Sequence, residues 1–151
     1  EIRLSLVGSE MCIRDSYEAS TAGVQTDLVV RGNCSLVTGI PGVSDNIRIN
    51  GIIDRYLEHP RIFIFANGGE EKYYIGSADW MPRNLDNRIE VLTPVYDKVI
   101  QAELKRVVCY GLRDTAKGRI VDGSGENKTW ENSDAPFRSQ EELYKYYKES
   151  E

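Results

Sequence analysis

The spacing of apolar and polar positions changes character several times along this chain. Thr26 to Arg31, TDLVVR, is a short β-branched run that reads as a buried strand ending where Gly32 lets the chain turn. It delivers Arg31 to its carboxyl end, where open α/β sheets place their ligands, so an anion contact and a surface ion pair are the two readings of this residue. Gly39 to Ser44, GIPGVS, is a loop, and Ser44 or Asp45 is placed to cap a helix after it. Ile49, Ile52, Ile53, Tyr56 and Leu57 recur at i, i+3, i+4, i+7 and i+8, so the spacing predicts a helix ending before His59 and Pro60. Pro60 disfavours helical geometry at His59, which sets that residue at a helix-to-strand junction.

Arg61 to Ala66, RIFIFA, is a strand; Asn67, Gly68 and Gly69 supply turn chemistry, and Lys72 to Ser77, KYYIGS, returns antiparallel as a hairpin. After the WMPRNLD connection, Asn87 to Val95 alternates Ile89, Val91 and Val95 as a further strand, which makes the sheet mixed. Asp97 to Arg113 carries Ile100, Leu104, Val107, Val108 and Leu112 at helical spacing. From Lys117 to Pro136 the chain turns rich in Gly, Asn and Asp, a long loop with one short strand near Arg119 to Val121 and Trp130 as an anchor. Ser139 with Glu142 forms a capping box for a terminal helix, SQEELYKYYKES. The expected fold class is α/β, a mixed sheet flanked by helices.

The amino terminus stands apart. Ser5 to Ser16, SLVGSEMCIRDS, resembles the translation of a transposase-type sequencing adapter. Residues 1–16 are therefore expected to be adapter read through into the frame and to fall outside fold reasoning, the alternative being a strand at EIRLSLVG. The native chain then enters at Tyr17, in the middle of a gene.

Composition narrows the function classes. At 151 residues the chain has the length of one domain, and no apolar run reaches the roughly 18 residues of a membrane span. A net charge of −5 argues against nucleic acid as a partner held by bulk electrostatics. Arg31, Arg48, Arg55, Arg61, Arg83 and Arg88 interleave with Asp45, Asp54, Glu58, Asp79 and Asp86, so only folding could gather the cations on one face. With Cys12 set aside, Cys34 and Cys109 lack metal-ligand or disulfide-framework spacing, and no metal site is expected in this chain. Two reduced thiols suit a cytoplasmic location.

His59 is the one histidine. Imidazole can accept a phosphoryl group or exchange a proton near neutral pH, and guanidinium groups hold phosphate oxygens. By spacing alone, a capping or core role fits His59 as well.

The stretch RYLEHPRIFIF, followed by NGG and then YYIGSADWMPRNLDNRIEVLTPV, resembles the last domain of polyphosphate kinases of the first type; DLVVRGNCSL and GIPGVSDNIR upstream match in the same order. The resemblance runs from about Tyr17 to the carboxyl terminus. It implies a phospholipase D-like domain, 17–151, belonging to a larger enzyme that reversibly transfers the terminal phosphate of ATP to inorganic polyphosphate. Gly76-Ser77-Ala78-Asp79 looks like the GS-x-N/D tail of the phospholipase D superfamily, whose catalytic motif begins His-x-Lys; here His59-Pro60-Arg61 has arginine for lysine.

Carried over by the resemblance, Arg31 and His59 match ATP- and phosphate-contacting positions, with His59 also catalytic. Because phosphoryl transfer calls for positioned cations, Arg61, Arg83 and Arg88 are secondary candidates, with structural ion pairs as the alternative for the last two, and so is Ser77, with turn chemistry as its alternative. The phosphorylated histidine and the residues that bind Mg2+ are implied to lie outside this chain, so the isolated fragment is expected to be inactive. A homo-oligomer, partnership with the missing domains, and a cytoplasmic or peripherally membrane-associated location are implied as well. The competing readings are a phospholipase D-like phosphodiesterase or nuclease, and a non-catalytic anion-binding or oligomerisation module.

Overall fold

The computed structural model describes residues 10–32, 34–130 and 135–149, with the side chains of Glu10, Met11, Pro82 and Arg83 left out. Four helices and six strands occur among them: α1 (Glu10–Thr21), β1 (Thr26–Val30), β2 (Ile47–Ile52), β3 (Ile62–Phe65), β4 (Lys72–Gly76), α2 (Pro82–Leu85), β5 (Leu92–Val95), α3 (Lys98–Arg113), β6 (Gly118–Ile120) and α4 (Ser139–Glu149). The strands form two three-stranded sheets. One is mixed, β1-β2-β6, with β1 and β2 parallel and β2 and β6 antiparallel; the other, β3-β4-β5, is antiparallel throughout.

Strand alternation divides β1 between two packed faces. Leu28 and Val30 enter a core with Leu36, Ile47, Ile49 and Phe63, against which Ile13 and Tyr17 of α1 pack. Val29 faces the other way, onto a second cluster built by Ile64, Tyr73, Val108 and Leu112. The sheets thus lie between α1 and α3; the expected α/β architecture flanked by helices forms, but as two sheets and not one mixed sheet, because β5 pairs with β4 in the all-antiparallel sheet.

The predicted helix over Ile49 to Leu57 is overturned. Ile47 to Ile52 is a strand, in register with β1 from Thr26↔Ile47 to Val30↔Gly51. Ile47, Ile49 and Ile52 are buried, but Ile53, Tyr56 and Leu57, the rest of the supposed stripe, are half or more exposed at 76%, 50% and 83%. Pairing with β1 prevails over a helical period whose members Asn50 and Gly51 are poor helix formers. Without that helix, Ser44 caps nothing helical: its hydroxyl accepts from the Ile40 amide at 2.9 Å and closes the Gly39–Ser44 loop.

The hairpin is as expected, with Asn67 and Gly68 both at positive φ (45° and 65°) in the connection. Of Asn87 to Val95, only Leu92–Val95 pairs as strand, and Ile89 is fully exposed. The helix from 98 to 113 begins on Asp97, whose side chain accepts from the amides of Val99 and Ile100. The short strand near Arg119 and the Trp130 anchor are both present: the indole N–H donates to Asn50 Oδ1 at 2.9 Å. Residues 131–134 of the predicted loop lie outside the described residues. At α4 the capping box does not form as predicted, because the Ser139 hydroxyl donates to Asp114 Oδ2 at 2.7 Å instead of capping its own helix.

Candidate functional site

β1 and β2 run parallel, so both end at one edge of the mixed sheet, with Arg31 following β1 and the segment 53–61 following β2. A partly open cavity of about 80 Å³ lies at that edge, lined by the ends of β1 and β2, the segment after β2, α3 and the first turns of α4. Arg31 and His59 both line it, with Tyr56, Glu58 and Gln140 adding polar groups and Val29, Ile52, Val107, Val108 and Leu143 the apolar wall. The two primary residues expected from the sequence therefore share one cavity. His59 reaches it from an irregular segment, not from a helix end.

The imidazole is held from one side. Nε2 of His59 lies 2.8 Å from Asp79 Oδ1, and the Arg61 Nε–H donates to the same oxygen at 3.1 Å. A carboxylate only accepts, so Nε2 carries the hydrogen and Nδ1 is the ring nitrogen left for a ligand. As neutral imidazole, Nδ1 takes a proton; as imidazolium, it donates to a phosphate oxygen. The Asp79 side chain is 15% exposed against 34% for His59, so the pair is sheltered at the carboxylate end and open at the imidazole end. Asn84 braces Asp79 by donating to its backbone carbonyl at 3.1 Å.

The secondary candidates separate. Arg61 pairs with Asp79, its NH1 group also reaching the His59 carbonyl at 3.4 Å, so it orders the histidine's partner; it is not among the cavity-lining residues. Ser77 is exposed and committed elsewhere: its hydroxyl donates to the Glu90 carboxylate and accepts from the Val91 amide, joining β4 to the approach of β5. The side chain of Arg83 lies outside the described residues. Arg48 is structural: it donates to the Leu112 carbonyl at 2.7 Å and stacks on Trp130.

Asp79 and Gln140 are the participants that sequence reasoning missed as site residues. The GSAD string marks the position of Asp79, but nothing local says that its carboxylate meets His59.

An α/β domain that brings an arginine from the end of β1 and an acid-braced histidine from the segment after β2 to one cavity sets two nitrogen donors of the kind that hold anions side by side. The family model described as "Polyphosphate kinase C-terminal domain 2" matches residues 2–140, and the chain belongs to that family. It is 55% identical over 103 residues to a polyphosphate kinase of Thermosynechococcus vestitus, covering 68% of this chain and 14% of the relative. Against the polyphosphate kinase of Escherichia coli K12 it is 44% identical over 136 residues, 89% of this chain and 20% of the relative. The crystal structure of the polyphosphate kinase from Porphyromonas gingivalis superposes with a TM-score of 0.92 at 43% identity, over 99% of this chain and 23% of the other. The chain thus spans about a seventh to a quarter of the proteins it matches.

Proposed function

We propose that this chain is the carboxyl-terminal catalytic part of an ATP-dependent polyphosphate kinase, with Arg31 and His59 holding phosphate oxygens of ATP or of the growing polymer. The observation that carries this reading is the meeting of Arg31 and His59 in one cavity beyond the parallel strand ends. Transfer of a phosphoryl group spreads charge over three oxygens, so catalysis rests on positioned cations and donors more than on a strong base. Arg31 supplies a guanidinium fork for paired oxygens. His59, with Nε2 tied to Asp79, turns Nδ1 to the transferred group and stabilises it or handles its proton.

The cavity, at about 80 Å³, is well below the roughly 300–1,000 Å³ of a small-molecule pocket. It seats a phosphate end, and the remainder of the nucleotide takes its walls from elsewhere in a longer enzyme. The phosphohistidine belongs to that remainder in this reading, as does the family's Mg2+. Among the described residues no three His, Cys, Asp or Glu side chains are grouped to hold a metal ion. Exposed apolar residues, Ile89 and Val91 before β5 and Val99 on α3 among them, suit contact with the rest of the enzyme or with a second copy in a homo-oligomer. No helix of the described residues is long and apolar enough to cross a membrane; a cytoplasmic location completes the proposal.

The adapter origin of residues 1–16 belongs with it. The string SLVGSEMCIRDS supports it; against it stand the family model, whose match begins at residue 2, and α1, which runs unbroken across Ser16 and Tyr17. On this reading the buried Cys12 and Ser16 occupy a turn that other residues fill in the native protein, and Tyr17, whose hydroxyl bonds both the amide and the carbonyl of Val37, opens the native contacts. Sequencing the source locus tests it, and finding the string in the genome overturns it.

The functional test is ATP-dependent polyphosphate synthesis by the full-length enzyme, wild type against His59→Ala and Arg31→Ala. Each variant is expected to lose about a hundredfold or more in rate while staying folded. Near-normal synthesis would remove both residues from the site.

A further inference from the structure

We infer that the first turn of α4 is the positioning element of the histidine segment, with Gln140 as the positioning residue; the inference rests on the proposed role of His59. Residues 53–61 belong to no helix or strand, and Ile53 and Leu57 within them point away from any core, at 76% and 83% exposed. Hydrogen bonds from α4 and the residue before it hold the segment instead. The Gln140 side chain accepts from the Tyr56 amide at 2.8 Å and donates to the Tyr56 carbonyl at 2.8 Å, pairing with the backbone as a neighbouring strand would. The same Nε2 also donates to Glu58 at 2.8 Å, one residue before His59. Arg138 grips Asp54 with two donors, at 2.9 and 2.7 Å.

Gln140 is itself fixed. It is 5% exposed, and the preceding Ser139 gives both its amide (2.8 Å) and its hydroxyl (2.7 Å) to Asp114, the residue that ends α3. A buried amide with its donors and acceptor committed in this way has one low-energy orientation, and a segment paired to it inherits that placement. Displacing a reacting group by about an ångström is enough to slow chemistry with little effect on binding.

The test compares four variants of the full-length enzyme in polyphosphate synthesis: Gln140→Ala, Gln140→Met, Arg106→Ala and His59→Ala. Gln140→Met keeps the length of the side chain without charge and loses its hydrogen bonds to Tyr56 and Glu58, and it covers the case in which Gln140→Ala fails to fold. Both Gln140 variants are expected to lower kcat about tenfold with KM for ATP changed less than about twofold. Arg106 stacks on Tyr146 at the far end of α4, 3.8 Å from the ring centre, and does not touch the histidine segment. Its loss is expected to lower the melting temperature and leave kcat within about twofold. Unchanged kcat in the Gln140 variants, or an equal loss in Arg106→Ala, overturns the inference while leaving His59 in place. Retained synthesis by His59→Ala overturns the functional reading itself, and the inference with it.

Discussion

The two sheets are stabilised by different physics. In the mixed sheet the interior is partly polar: Asn50, fully buried on β2, donates to the carbonyls of Gly111 (2.8 Å) and Asp114 (3.1 Å) and accepts from Trp130. Asp114, also fully buried, accepts the amides of Lys117, Gly118 and Ser139 and the Ser139 hydroxyl. Packing there leaves no room at Gly118, where a Cβ would come within 2.0 Å of the Asp114 carbonyl. The antiparallel sheet instead adds ring pairs, Phe63 stacked on Trp80 at 5.5 Å and Phe65 edge-on to Tyr74 at 5.9 Å, to the apolar core it shares with β1 and β2, and its outer strand leaves Leu92 more than half exposed. Hydrogen bonds are directional and apolar contacts are not, so the polar network fixes β2 against α3 and β6 more narrowly than ring contacts fix the second sheet. Arg31 extends from the first sheet and His59 precedes the second. Their juxtaposition therefore needs a bridge, and α4 is built from the same Asp114 hub that orders the first sheet.

The sharpest way to break this contrast is to remove the hub. Asp114→Ala leaves three amides and a hydroxyl without their acceptor, and a loss of about 3–5 kcal/mol in unfolding free energy is expected, since each buried unsatisfied group costs roughly 1–3 kcal/mol and the sites are coupled. Urea unfolding of the chain measures it. In the ring-packed sheet, Phe63→Leu keeps an apolar side chain of somewhat smaller volume and is expected to cost about 1–2 kcal/mol by the same measurement. If Phe63→Leu proves the more damaging, the directional network is not what sets the first sheet apart.

The same division explains what could be read from sequence. The hairpin and α3 were legible because their signals are local: alternating β-branched and aromatic residues around Asn67-Gly68-Gly69, and an Asp97 cap ahead of a helical stripe. β2 was not, because Ile49, Ile52 and Ile53 satisfy a helical period, while the reasons for Asn50 and Gly51 lie far along the chain, in Gly111, Asp114, Val121 and Trp130. Ser139 and Glu142 carry a capping-box pattern, yet the hydroxyl goes to Asp114, a partner 25 residues away that no short motif encodes. At the site, Arg31 and His59 were named through family resemblance and prove to line one cavity. Asp79 and Gln140 were beyond reach because their roles depend on contacts 20 and 82–84 residues apart.

The smallest expected effect concerns the ion pair that ties α4 to the histidine segment. Hydrogen bonds from Arg138 hold the Asp54 carboxyl below its ordinary range, against the opposing effect of burial, and its side chain is 2% exposed. A carboxyl whose folded pKa is depressed stabilises the fold above its unfolded value of about 3.9, and that contribution drains away as pH falls through the lower folded value. Asp54→Asn keeps the shape and cannot titrate. The stability gap between wild type and Asp54→Asn, from urea unfolding, should thus be constant at pH 5 and above and shrink as pH falls below about 4. Other carboxyls titrate in both proteins and cancel in the difference. A gap that stays constant down to acid pH would mean that Asp54 holds Arg138 through shape and neutral hydrogen bonding, and α4 would then be joined to the histidine segment without an ionic clamp.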